Sequence, residues 1–91
     1  MPALAAVTIR IMPVSPSVDL TKVKQDAEEI IKKIGGLPHS TEEQPIAFGL
    51  KALILIIGWP ENLQPDVIET ELAKIDGVNS VEITDVRRAF G

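Results

Sequence analysis

The chain of 91 residues contains no cysteine and a single histidine, His39. The first absence excludes disulfides, thiolate catalysis and cysteine-type zinc sites. The second argues against a Ser-His-Asp triad or a histidine-rich metal centre. Basic charge is also in the minority. Nine Lys and Arg stand against thirteen Asp and Glu, a net charge of −4. Bulk electrostatics therefore oppose loose binding to nucleic acid or to an anionic membrane. Long apolar runs are missing too. The longest, Ala52 to Ile57, falls far short of a bilayer span. The opening Met1-Pro2-Ala3-Leu4 has no basic n-region leading into an apolar core. The expectation is a soluble cytoplasmic protein.

What is present fits one globular domain over residues 1–91. Hydrophobic residues make up 45% and charged ones 24%, too apolar a balance for a disordered chain. In residues 5–12, Val7, Ile9 and Ile11 alternate with Ala6, Thr8 and Arg10, the signature of a half-buried strand. Pro13 and Pro16 stop it. Asp19 is an N-cap candidate. Behind it Leu20, Val23, Ala27, Ile30, Ile31 and Ile34 form one apolar stripe of a helix ended by Gly35-Gly36. Glu42 to Phe48 reads as a short edge strand, with His39 in a loop before it and Phe48-Gly49 as a bend. Lys51 to Ile57 reads as a central strand that Gly58-Trp59-Pro60 breaks. A second helix is expected from Pro65 to Ile75. Residues 78–86 close as a strand with Val81 and Ile83 inward, leaving Arg87 to Gly91 as a tail.

Strand, helix, strand, strand, helix, strand is two similar strand-helix-strand halves. Right-handed crossovers fold such a chain into an α+β, ferredoxin-like βαββαβ sandwich. The expected four-stranded antiparallel sheet has order 4-1-3-2, with both helices on one face.

Candidate chemistry is sparse. His39 has no foreseeable orienting partner for general-base work. The acids at 42, 43, 61, 66, 69 and 71 lack the alternating ligand spacing of a calcium loop and read as a solvated face. Gly35-Gly36 follows a helix instead of opening one, so it is a cap and not a phosphate loop. An acylphosphatase would need a phosphate-cradling loop after the first strand. Here Pro13-Val14-Ser15-Pro16-Ser17 has two prolines that remove backbone donors. An RNA-recognition module would need aromatics on the central strands. The first offers Thr8 and Arg10, the third only aliphatics. No catalytic residue, metal site or cofactor is expected.

Three features are unusual. Phe48 sits at a bend, where an aromatic either plugs the core or projects as an anchor; the residues alone favour the plug, because an anchor needs a partner pocket. Trp59 is expected to pack beneath the loop Pro60 to Pro65. Arg87, Arg88 and Phe90 follow residues 61–85, which hold seven acids and one lysine. The arginines either neutralise that neighbourhood or meet an anionic partner.

The segment Gln44-Pro45-Ile46-Ala47-Phe48-Gly49-Leu50-Lys51-Ala52-Leu53 resembles the signature of the elongation factor 1-beta family, in its short archaeal form. Ile9-Arg10-Ile11-Met12-Pro13 and the Asp19-Leu20 helix start are similar to the family's opening. The resemblance implies a guanine-nucleotide exchange factor for the GTPase elongation factor 1-alpha. Such a factor acts by binding, disturbs the magnesium and phosphate surroundings, and lets GDP leave and GTP enter. It implies partner-binding roles for Phe48, Gly49 and Lys51 at the hairpin and for Arg87, Arg88 and Phe90 at the C-terminal end, in a protein that is monomeric when free. The eukaryotic relatives end with a lysine beside the last residue that intrudes on the magnesium site. This chain ends Arg87-Arg88-Ala89-Phe90-Gly91, so an arginine or simple steric displacement would have to replace it. The alternative function is a ferredoxin-like regulatory domain that binds a small molecule.

Overall fold

A computed structural model describes residues 4–88. The elements run β1 (Leu4–Pro13), α1 (Leu20–Ile34), β2 (Leu37–Pro45), β3 (Lys51–Pro60), α2 (Asp66–Leu72) and β4 (Val78–Arg88). The four strands form one antiparallel sheet of order β2-β3-β1-β4, the ferredoxin-like arrangement read from the sequence.

Alternation in β1 separates two faces. Ala5, Val7, Ile9 and Ile11 are buried, while the residues between them are half-buried. The buried set joins Leu53, Leu55 and Ile57 of β3, Val23, Ala27 and Ile31 of α1, and Ile68 and Leu72 of α2 in one core. Both helices therefore cover the same side of the sheet. The other side stays open. There Leu4, Ala6, Leu37, Ile56 and Gly58 line a shallow apolar groove.

Helix α1 starts and stops where its residue types dictate. The Asp19 carboxylate accepts the Thr21 N–H at 3.0 Å, and Gly35 closes the helix in a left-handed conformation with φ 107°. Lys32 and Lys33 occupy the last turn, where the dipole favours positive charge.

Four boundaries differ from expectation. Strand β2 begins at Leu37, so His39 lies in a strand and not a loop, and it ends at Pro45. Leu37 pairs with Gly58 and Pro38 with Ile57, and a register shift between Pro38 and Ser40 leaves His39 as the extra residue of a bulge. Strand β3 does not break at Gly58; it continues to Pro60 because Gly58 and Trp59 pair with Ala6 and Ala5. Helix α2 ends at Leu72 and starts after Pro65, which offers no side-chain cap. Arg87 and Arg88 are not a tail. They belong to β4, opposite Ala6 and Ala5.

A second register shift, between Thr8 and Ile9, faces Thr84 in β4. Ile83 pairs with Ile9 and Asp85 with Thr8, so Thr84 is the extra residue of a bulge. The bulge changes parity. Val81 and Ile83 pack on the core as expected. Beyond it Val86, opposite the buried Val7, takes the helix side, and Arg87 takes the open side.

Candidate functional site: two ends of one sheet

Among the described residues, the β2–β3 connection carries the most exposed large apolar side chain. Phe48 is 96% accessible, so the core-plug reading is overturned. The reason is in the backbone. Phe48 has φ 58° and Gly49 φ 78°, and the Leu50 N–H donates to the Ala47 carbonyl at 3.0 Å. Two positive φ values at the centre of a tight turn are the pattern of a type I′ hairpin. The Ile46 N–H donates to the Leu50 carbonyl at 2.8 Å and fixes the turn on its strands. A ring mounted on this turn points away from the sheet.

Lys51, the first residue of β3, stands beside the turn. Its Nζ lies 3.7 Å from Glu43 Oε1, and both side chains are about half exposed. Pro16, Asp19, Glu43, Gly49 and Lys51 share the wall of an open cleft between the hairpin and the β1–α1 loop. The structure thus brings Phe48, Gly49 and Lys51 together at one end of the sheet. The same end exposes two side chains that the sequence reading did not single out, Val14 at 61% and Ile46 at 46%. Each is an apolar residue directly after a proline that ends a strand, where no ladder partner can bury it. That pattern was available in the sequence.

Arg87 lies at the other end. Its Nε is 2.8 Å from Asp85 Oδ2, two residues back on the same open face. The pair is exposed, and ion pairs of this kind contribute about 0–1 kcal/mol. Local neutralisation and availability to a partner are therefore compatible roles. The Arg88 backbone pairs with Ala5. Its side chain and the whole of Phe90 lie outside the described residues. Val86 and Leu63, 56% and 38% accessible, add apolar surface at this end. Trp59 packs beneath them as expected, 2% exposed, with its indole N–H donating to the Leu63 carbonyl at 3.2 Å.

Strand β3 separates the two ends. Its ten residues span about 30 Å at roughly 3.3 Å per residue. His39 sits at the rim of the open-face groove with no carboxylate among the lining residues. Among the described residues no group of three or more His, Cys, Asp or Glu side chains is placed to hold a metal ion. Among those residues, too, no helix is long and apolar enough to cross a membrane.

Comparison with known proteins settles the family. The profile of the EF-1 guanine nucleotide exchange domain matches residues 6–89. Elongation factor 1-beta of Methanothermobacter thermautotrophicus is 43% identical over 83 residues, covering 89% of this chain and 91% of the relative. The Methanosarcina barkeri protein of that name is 39% identical over 84 residues, covering 91% and 94%. That of Archaeoglobus fulgidus is 42% identical over 80 residues, covering 86% and 89%. The chain belongs to the EF-1 guanine nucleotide exchange domain family.

Proposed function

We propose that this protein promotes exchange of GDP for GTP on elongation factor 1-alpha, as one exchange domain spanning residues 1–91, by binding and without bond chemistry of its own. The GTPase is gripped at two places. Phe48, with Gly49 and Lys51 behind it, docks on one part. Arg87, Arg88 and Phe90 approach the nucleotide end and disturb the magnesium and phosphate site. The observation that carries this reading is the Phe48 ring, 96% exposed on a doubly hydrogen-bonded turn, in a chain whose family is an exchange family.

The thermodynamics need only differential affinity. A factor that binds the nucleotide-free GTPase more tightly than the GDP-bound form weakens GDP binding by the same factor, because coupling is reciprocal. Each ~1.4 kcal/mol of coupling is tenfold. An arginine near the nucleotide acts either by competing with magnesium for the phosphates or by displacing the loop that holds the ion. Arginine is planar and bulkier than the lysine of the eukaryotic relatives, so the two are not interchangeable.

The test is to load elongation factor 1-alpha with fluorescent GDP and follow its release. The protein accelerates release, and excess magnesium opposes the acceleration. Phe48→Ala weakens binding by about 2–4 kcal/mol with the fold intact. Changing Arg87 and Arg88 together to Ala slows release; an unchanged rate removes both from the mechanism. Release that ignores the wild-type protein overturns the proposal.

A further inference from the structure

We propose that the Ala47–Leu50 turn is a strained mount that holds the Phe48 ring ready for docking, with Gly49 as its positioning residue. The partner's identity rests on the exchange-factor reading; the strain does not. Phe48 is the only non-glycine residue with positive φ among the described residues. An L-residue in that region presses its Cβ against the following carbonyl, a cost that glycine escapes and asparagine reduces. Turns of this pattern are ordinarily filled by Asn-Gly. Phenylalanine in the first central place is the weaker choice for the hairpin, and among the described residues no packing of the ring offsets it. The ring is 96% exposed and covers no core.

A side chain that weakens its own turn and shields nothing inside the chain is explained by a surface outside it. The complementary surface is an apolar pocket on the GTPase wide enough for a phenyl ring. What the turn supplies is direction. The left-handed backbone fixes the Cα–Cβ vector, and the bonds from Leu50 N–H to Ala47 and from Ile46 N–H to Leu50, at 3.0 and 2.8 Å, hold it there. Docking then orders little backbone, and preorganisation of this kind raises affinity without adding contacts.

Gly49 makes the arrangement possible. At φ 78° a side chain would be strained, yet an added Cβ meets only Pro16 Cβ and Cγ, both at 3.9 Å. Gly49→Ala therefore acts through the backbone and not through collision, and the variant folds.

Two measurements test the proposal. Without partner, Phe48→Asn raises Tm by about 2–8 °C, a partial relief of left-handed strain, and Gly49→Ala lowers it by about 4–16 °C, the full addition of that strain in a domain of this size. With elongation factor 1-alpha, Gly49→Ala weakens binding about tenfold when Phe48 is present and less than twofold in the Phe48→Ala background, because Gly49 acts through the ring. An unchanged or lower Tm for Phe48→Asn overturns the strain. Equal losses in both backgrounds overturn the positioning role. If the wild-type chain has no affinity for elongation factor 1-alpha, the exchange-factor reading and the docking role fail together, while the melting temperatures still decide the strain.

Discussion

Trp59 is the heaviest single piece of the core, and two local devices hold it. Its indole N–H donates to the Leu63 carbonyl at 3.2 Å, and its ring lies against the backbone at Gly36. An added Cβ at Gly36 would sit 3.1 Å from Trp59 Cε3 and 2.8 Å from Ile31 Cγ2. Neither neighbour can give way, because Trp59 and Ile31 are 2% and 0% exposed. Gly36→Ala is therefore expected to cost about 1–3 kcal/mol by overpacking. Trp59→Phe keeps much of the apolar contact and loses the hydrogen bond. Leu63 is partly exposed, so its carbonyl can turn to water, and the expected cost is about 1–2 kcal/mol. Urea midpoints measure both, and an unchanged m-value shows that the compactness of the unfolded state has not shifted.

At the scale of elements, α2 is the weakest helix, with seven residues and no side-chain cap. Its buried anchors are Ile68 and Leu72. A third hold comes from Glu69, whose Oε2 accepts the Ile83 N–H of β4 at 3.2 Å. Strand β4 is an edge of the sheet, and an edge amide satisfied by a side chain no longer offers itself to another strand. Glu69→Ala is expected to speed amide exchange at Ile83 selectively, leaving the β1–β3 amides unchanged; uniform acceleration would instead mean that the helix holds the whole sheet. Helix α1 was legible from the sequence because its apolar stripe, Asp19 cap and glycine stop agree with one another. Asp19→Ala should cost about 0.5–2 kcal/mol, most of it returned by Asp19→Asn. The start of β2 was not legible. Leu37-Pro38-His39-Ser40 has the composition of a turn, and only pairing with the far end of β3 makes it a strand. The same is true of the Thr84 bulge. No single-chain periodicity announces a residue skipped by a partner, so the turn of Val86 to the helix side and of Arg87 to the open face followed from tertiary register alone. For the candidate site, the bend at Phe48-Gly49 could be read, but the direction of the ring could not. A lone aromatic at a bend fits either inside or outside until the φ values are known.

The described residues form a rod of 43 × 21 × 18 Å with a different chemistry at each end. Continuous β1 and β3 ladders join the ends, so the two contacts of the proposed grip keep a fixed spacing. The ends should then contribute to binding independently. Under the proposed function the exposed Phe48 is an apolar anchor, and its loss acts mainly on dissociation. Arg87 is an exposed charge in a chain of net charge −4, and its loss acts mainly on association and weakens as salt screens it. Sites more than about 10 Å apart with no shared partner add to within about 0.5 kcal/mol. The double variant Phe48→Ala, Arg87→Ala should therefore lose affinity for elongation factor 1-alpha by the sum of the single losses. Stopped-flow association at low and high salt separates the two contributions. A strongly subadditive result would mean that the ends do not engage together, and the rod would then be reading one surface of the GTPase instead of two.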